Sequence, residues 1–266
     1  MLIIYFYLIS LSIIGYGLAA SKILNINLNS IGYLGILGIS SLAIISYASS
    51  IFLAHQYVFN SIILILGCVF FLLFFKKIYN LKNELIVFFL IFSFLITFII
   101  IGKNHDDFPY YHFPYISLLT DYSHPVGLGQ LNNGFRNPSS IFFISSLFYL
   151  PIIEYYLFHL TPAFFIGFVN LILIQNIFNQ NDFNKKRFIN ILSLIFFIFI
   201  NIFFYRLSEH GTDRSGLILS ICSFITLLYV INDNLETSKD RNISLIKFFS
   251  ISICLLISLK PFYLIS

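Results

Sequence analysis

The sequence predicts an all-α protein, a polytopic transmembrane helical bundle of about eight spans with a long outer loop that contains short interfacial helices. Hydrophobic residues make up 59% of the 266 residues and charged residues only 10%. One water-soluble core could not bury that excess of apolar side chains. Apolar segments long enough to cross a bilayer recur along the chain, and their unbroken character favours helices over the alternating pattern of a β-barrel.

The predicted spans lie at roughly 2–20, 31–52, 58–75, 85–102, 159–178, 188–204, 216–231 and 243–260. The apolar stretch from Pro138 to Phe178 is long enough to cross twice, but a single crossing preserves the alternation of basic residues described next. We therefore expect residues 139–153 to form a helix at the outer interface, or dipping into it, ahead of the span over 159–178. Glu154 lies at the join between the two, where it is either interfacial or paired at membrane depth.

Basic residues predict the orientation, because lysine and arginine near span ends favour the cytoplasmic side. Ten of the fifteen lysines and arginines fall in or beside every second connection, starting with Lys22. The remaining basic residues are Lys103, Arg136, Arg206, Arg214 and Lys260, the last of which is near the end of the final span and could snorkel. This pattern places the N-terminus and the 103–138 segment outside.

The 103–138 segment is 36 residues long and rich in histidine, aspartate, asparagine and tyrosine. A connection of this length and composition is more often functional than a simple link. We expect a short helix over 107–119 that lies along the outer surface, with Pro109 in its first turn and Pro114 bending or breaking it. Asp106 and Asp107 are either reactive carboxylates or a helix N-cap.

The next outer connection is short and dense in charge, with Glu209, His210, Asp213 and Arg214. Since both connections emerge on one side, these residues are expected to meet the Asp106-Asp107 pair above the bundle. Carboxylates act as general bases or hold a divalent cation, and arginine binds phosphate through a planar fork. The mixture suits a phosphate-bearing substrate, although Asp213 and Arg214 could instead cap and anchor their own span.

A metal cofactor is left open by the sequence, with a divalent cation as the candidate. His105 and His112 are seven residues apart and would share a helix face, as two zinc ligands would. No third ligand is specified by the pattern.

The run from Asn104 to Pro114, followed by Gly127-Leu128-Gly129 and 132–140, resembles the first outer loop of bacterial membrane glycosyltransferases of the type C fold. In that family an acidic pair or motif follows the first span of the core module, and Asp106 and Asp107 stand at the matching positions. Gly211-Thr212-Asp213 is similar to a sub-family of largely uncharacterised members. The resemblance implies a three-span N-terminal extension over 1–84 and a core module over 85–266. Because such enzymes usually run longer, it also implies a module that is incomplete at its C-terminus.

The resemblance implies transfer of a sugar from a polyprenyl-phosphate carrier to an acceptor outside the bacterial cytoplasmic membrane. Asp106 or Asp107 would deprotonate the acceptor, and cationic side chains would offset charge on the departing phosphate. The residues expected to contact substrate are His105, His112, Arg136, Glu209, His210, Asp213 and Arg214. The expected partners are the bilayer and the lipid-linked sugar, with no nucleic acid. Two other hypotheses stay open: a transporter or flippase of a lipid-linked or anionic substrate, and an oligosaccharide polymerase or ligase.

Overall fold

The computed structural model describes residues 1–28, 30–76, 81–101, 107–123, 127–136, 138–178, 187–203, 212–233 and 239–260, and over these residues the protein is all-α. This confirms the all-α part of the predicted fold class. The helices are α1 (Leu2–Ile23), α2 (Ile31–Ser50), α3 (Tyr57–Leu73), α4 (Lys82–Ile101), α5 (Phe113–Asp121), α6 (Ser140–Ser146), α7 (Thr161–Phe178), α8 (Arg187–Phe203), α9 (Thr212–Asp233) and α10 (Lys239–Leu259).

Several of these helices have the length and composition of membrane spans. Within the described residues, five helical stretches are long and apolar enough to cross a bilayer, namely Leu2–Ile23, Ile31–Ser50, Tyr155–Phe178, Asp213–Asn232 and Asp240–Leu259. Helices α3 and α8 are also apolar but have 17 residues each. The protein is therefore compatible with a multi-pass membrane protein, and the predicted total of about eight crossings stays a prediction.

The backbones of helices α1, α2 and α3 lie in close contact because glycines line their interfaces. A Cβ atom built on Gly17 would lie 1.8 Å from the Leu34 carbonyl oxygen, and one on Gly38 would lie 1.9 Å from the Ile13 carbonyl oxygen. A Cβ on Gly15 would meet the Gly67 carbonyl oxygen at 1.9 Å. Small residues are the usual means by which apolar helices approach closely in lipid.

The contacts at the helix ends define two ends of the bundle. At one end, which we call the loop end because residues 107–123 and 127–136 lie there, the Tyr5 hydroxyl donates to the Pro151 carbonyl at 3.1 Å. At the opposite end, which we call the basic end, Glu84 Oε2 accepts the Ile31 N–H at 2.8 Å. There too, Lys247 Nζ donates to the Leu24 carbonyl at 2.9 Å. Helix α1 therefore begins at the loop end, whereas α2 and α4 both begin at the basic end.

The segment predicted as a helix over 139–153 is helical only over Ser140–Ser146, and every residue of that helix is buried. The Ser139 hydroxyl accepts the Ile141 N–H at 3.3 Å and so caps its first turn. The chain then returns through a turn with positive φ at Ile152 and Glu154, and a 3₁₀-helix over Tyr155–Leu160 leads into α7. The helix packs inside the bundle and is shorter than expected, and its place at the outer interface stays a prediction. Glu154 is exposed rather than enclosed among the helices.

Candidate functional site

The first part of the loop forms a π-helix over Phe108–His112 that continues directly into α5. Pro109 lies in its first turn, as predicted. Pro114 does not break the helix, but it has no N–H to donate to the Tyr110 carbonyl four residues earlier. That carbonyl instead accepts Asn132 Nδ2 at 3.3 Å. Single π-turns within helices occur frequently at functional sites.

Asn132 ties the two parts of the loop together. Its Oδ1 atom accepts the Gly134 N–H at 2.8 Å, while its Nδ2 atom reaches the Tyr110 carbonyl. Gly134 in turn packs against Tyr111, since a Cβ atom at Gly134 would lie 2.6 Å from Tyr111 Cγ. The loop therefore places the Tyr111 side chain by direct contact rather than leaving it to solvent.

Helix α5 anchors this loop to the bundle. It has 9 residues, too few to cross a bilayer, and it buries Tyr115, Ile116, Leu119 and Thr120. The Leu119 carbonyl accepts the His55 N–H at 2.9 Å, which joins α5 to the connection between α2 and α3. The predicted short helix is confirmed, and one of its faces is fixed against buried side chains.

Tyr111 lies where the two predicted loops meet. Its hydroxyl donates a hydrogen bond to the Asp107 carboxylate, and the Asp213 carboxylate from the start of α9 lies near enough to act on it electrostatically. Burial, followed by these two negative charges, raises the pKa of Tyr111 above its ordinary value. Lys260, just beyond α10, forms a salt bridge with Asp213. We call Asp107, Tyr111, Asp213 and Lys260 the loop-end cluster.

Two charged members of the cluster, Lys260 and Asp213, remain open to solvent. The side chains of Lys260 and Asp213 are 45% and 62% exposed. Exposed ion pairs contribute little to stability, so both groups can exchange partners at small cost. Arg214, next to Asp213, is half-buried, and Arg136 Nε donates to the Gly129 carbonyl at 3.5 Å. The cluster thus offers one tyrosine, two carboxylates and an ammonium group from three separate parts of the chain.

His112 occupies a different environment from the one the sequence suggests. Its side chain is 3% exposed, and its ring packs against Phe142 with centroids 5.0 Å apart and against Tyr111 at 4.3 Å. It therefore forms part of the wall beneath Tyr111. Among the residues that the structure describes, no three His, Cys, Asp or Glu side chains come together as a metal site.

Several predicted site residues lie outside the described residues, so their roles stay predictions: His105, Asp106, Arg206, Glu209 and His210. Of the others, Asp107 and Asp213 are brought together around Tyr111, with Lys260 as a partner. Tyr111 lies within the run from Asn104 to Pro114, but no role for it was predicted from the sequence. The available signal was its place four residues after Asp107, which puts both on one helix face.

His55 lies in the connection between α2 and α3, yet it is fully buried. Its Nδ1 atom is 2.6 Å from Ser146 Oγ, and its Nε2 atom is 2.9 Å from Ser49 Oγ. Asn60 Nδ2 donates to the His55 carbonyl at 2.7 Å. Burial lowers the pKa of His55 from 6.5 to about 4, so the ring is neutral near pH 7. His55 is therefore a structural link beneath the loop.

An apolar groove runs between α2 and α10 toward the loop end. Its volume is about 610 Å³, and its walls include Ala43, Ile44, Tyr47, Ile251, Cys254 and Leu255. At one side Ser258 Oγ donates to Ser140 Oγ at 3.0 Å. Two residues after Ser258 comes Lys260 of the loop-end cluster. The groove therefore leads from an apolar face of the bundle to charged groups at its end.

Fold and site together define an all-α protein with membrane-length helices and a mixed acidic, phenolic and cationic cluster at one end. The chain belongs to the family described as Domain of unknown function (DUF8201), whose model matches residues 1–265. The match runs through the predicted boundary between 84 and 85, which stays a prediction. Neither a curated protein nor a solved structure matches the chain.

Proposed function

We propose that this chain is a membrane glycosyltransferase of the type C fold, which moves a sugar from a polyprenyl-phosphate carrier to an acceptor outside the cytoplasmic membrane of a bacterium. The observation that carries the proposal is the meeting of Asp107, Tyr111, Asp213 and Lys260 at the end of an apolar groove. A lipid-linked sugar needs an apolar surface for its chain, a cation for its phosphate and a base for the acceptor.

The base in this proposal is a carboxylate of the Asp106-Asp107 pair. Asp107 removes the proton from an acceptor hydroxyl as the hydroxyl oxygen forms a bond to the anomeric carbon of the sugar. The bond between that carbon and the phosphate oxygen breaks, and the phosphate leaves with the bonding electrons. Tyr111 holds the Asp107 carboxylate by a hydrogen bond, which orients the base.

The cation in this proposal is Lys260, supported by Arg214. Lys260 is paired with exposed Asp213 in the structure, and an arriving phosphate competes for the ammonium group. Charge on the leaving phosphate grows during the reaction, so a nearby cation stabilises the transition state more than the ground state. The polyprenyl chain lies in the α2–α10 groove, where burial of apolar surface contributes about 25 cal/mol per Å².

This proposal includes a topology of eight crossings with the N-terminus outside. The eight long helices and the predicted alternation of basic residues between connections support it. Cysteine placed at Asn132 or at Asn184 in intact cells tests it, after replacement of the native cysteines. Asn132 is expected to react with an impermeant maleimide and Asn184 is not. Reaction at Asn184 alone means that the orientation is inverted.

The catalytic test is Asp107→Asn, with Asp106→Asn made in parallel. Asparagine keeps the volume and still caps a helix, so loss of a general base should lower transfer by about 10²-fold or more with little change in stability. Asp121→Asn is the matched control, because Asp121 is an exposed aspartate at the other end of α5. Transfer is measured with the full chain in liposomes, using radiolabelled polyprenyl-phosphate pentoses and hexoses.

Full activity of both the Asp106→Asn and Asp107→Asn variants would show that the pair only caps a helix. A flippase of a lipid-linked substrate is the second candidate, and one observation favours it. A polar cavity opens between α2 and α10 at the basic end, on the same pair of helices as the groove. A flippase would retain movement of a fluorescent lipid-linked sugar across liposomes in the Asp107→Asn variant.

A further inference from the structure

A polar cavity of about 380 Å³ opens at the basic end, far along α2 and α10 from the loop-end cluster. Its walls come from the α1–α2 connection, α2, α7, α9 and α10, and they include Ser30, Tyr33, Gln175, Asn176 and Tyr229. Asn27, Asp240 and Arg241 stand at its exposed rim. A cavity built from five parts of the chain is a feature of the tertiary structure rather than of one loop.

Four of the polar wall residues are buried, and Gln175 beside them is partly buried. Ser30 is 2% exposed, Tyr229 3% and Asn176 6%. Gln175 Nε2 donates to Glu84 Oε1 at 3.1 Å, and Asn176 Nδ2 donates to Ser193 Oγ at 3.5 Å. The Tyr33 side chain is hydrogen-bonded to Thr226. Burying polar groups costs free energy, so a bundle that lines a cavity with them presents a preformed polar surface.

The cavity is separated from the apolar groove by a pair of rings. Tyr33 of α2 meets Phe248 of α10 edge-to-face, with centroids 4.7 Å apart. Along α10, Leu245 lines the cavity, Phe248 follows, and Ser250 lines the groove. The cavity is therefore a compartment of its own, with a polar character that the groove lacks.

The chemistry of the lining indicates the class of ligand. Asp240 and Arg241 carry opposite charges, so the formal charge of the lining is balanced. Asn27, Gln175 and Asn176 each supply both donors and acceptors, and Tyr33 and Tyr229 add phenol groups. Paired donors and acceptors match the neighbouring hydroxyls of a sugar ring, whereas a phosphate would need an excess of positive charge.

We propose that this cavity binds a neutral polyhydroxylated ligand of the size and class of a monosaccharide, either free or as the headgroup of a glycolipid. Its volume falls within the usual range for small-molecule sites, roughly 300–1,000 Å³. The site is separate from the loop-end cluster, and the proposal does not depend on glycosyl transfer.

Saturation-transfer NMR with the full chain tests the proposal. The protein is purified in a zwitterionic detergent, because a glucoside or maltoside detergent would present a competing sugar. Methyl β-glucoside, methyl β-galactoside and methyl α-mannoside are the free probes. For the lipid-borne source, the protein is placed in nanodiscs with and without glucosyl diacylglycerol, and displacement of the methyl glycoside is measured.

Asn27→Trp should abolish the signal by filling the mouth of the cavity, and Asn27→Ala should weaken binding by about three- to tenfold through loss of hydrogen bonds. Asn27 is exposed, so both variants are expected to fold. Ile23→Trp is the matched control, because Ile23 is 77% exposed, nearby in sequence, and not part of the lining. Asp107→Asn should bind like the wild type, which separates this site from the proposed catalytic one.

Three outcomes would overturn the proposal. They are no saturation transfer from any of the methyl glycosides together with no effect of the glycolipid, an unchanged signal in Asn27→Trp, and displacement of a bound glycoside by inorganic phosphate at matched ionic strength. The last outcome would assign the cavity to anions instead. Displacement by the glycolipid supports the headgroup source, and a signal that the glycolipid leaves unchanged supports the free sugar.

Discussion

The loop end and the basic end of the bundle use charged side chains in different ways. At the basic end, Glu84 accepts a backbone N–H at the start of α2, and Lys247 donates to the carbonyl of the residue after α1. These charged side chains therefore satisfy backbone groups at helix ends. At the loop end, Asp213 and Lys260 pair with each other while both side chains stay about half exposed to solvent. The charges of the loop end are thus available to a ligand. Beneath them, neutral hydrogen bonds between His55 and the serines Ser49 and Ser146 join the chain segments.

The largest expected effect on stability comes from protonation of His55 at acidic pH. The pKa of His55 is lowered to about 4 in the folded protein, so below pH 6.5 the unfolded state binds a proton that the folded state does not. Stability is full above pH 6.5 and is lost as pH falls toward 4, by about 3 kcal/mol in total. SDS unfolding titrations at pH 7.5, 5 and 4 measure the loss.

His55→Gln is the control for this titration, because glutamine bonds to a serine hydroxyl but does not ionise in this range. The variant should lose the share of the pH dependence that His55 contributes, about 3 kcal/mol, while any contribution of other groups remains. An identical pH profile in both proteins would mean that His55 is not the titrating group.

The next effect concerns the basic end. Glu84→Leu removes the acceptor of both the Ile31 N–H and the Gln175 amide, which should cost about 2 kcal/mol of unfolding free energy. Glu84→Gln keeps an acceptor and should cost less than about 1 kcal/mol. Equal stability of the Leu variant and the wild type would show that the charges of this end do not hold α2 in place.

A smaller effect is expected when the hydrogen bonds of Asn132 within the loop are removed. Asn132→Ala removes the bonds to the Tyr110 carbonyl and the Gly134 N–H, and should cost about 1 kcal/mol. Amide hydrogen exchange should rise at Gly134 while exchange within α2 stays unchanged. Asn133→Ala, an exposed neighbour, is the control. Unchanged exchange at Gly134 would mean that Asn132 does not join the two parts of the loop.

The smallest effect on stability is expected for Lys260→Ala. Because the Lys260–Asp213 pair is exposed, its loss should change the unfolding free energy by less than about 1 kcal/mol. Under the proposed function, transfer should nevertheless fall, since the phosphate loses its cation. Lys247→Ala at the basic end should show the reverse, with lower stability and unchanged transfer. Lower stability without lower transfer in Lys260→Ala would make this pair structural.

The sequence alone determined the all-α class and the positions of the long helices, for example the predicted segment 31–52 against α2 at Ile31–Ser50. It also determined that the loop holding Asp107 contains a short helix starting near Pro109. These features depend on the local run of apolar side chains and on proline geometry, which a window of about 20 residues contains. Predicting that Asp107 and Asp213 approach each other needed only the further rule that basic residues mark alternate connections.

Only the tertiary structure decided which side chains are exposed and which are buried. His55 and His112 are both polar residues in predicted loops, yet contacts with Ser146 and Phe142 enclose them. The Lys260–Asp213 pair joins residues separated by 47 positions, and the bond from Asn27 to Ser244 spans 217. The α2–α10 groove and cavity likewise depend on how two distant helices meet. Such contacts leave no local pattern, because they arise from the packing of whole helices rather than from the neighbours of a residue along the chain.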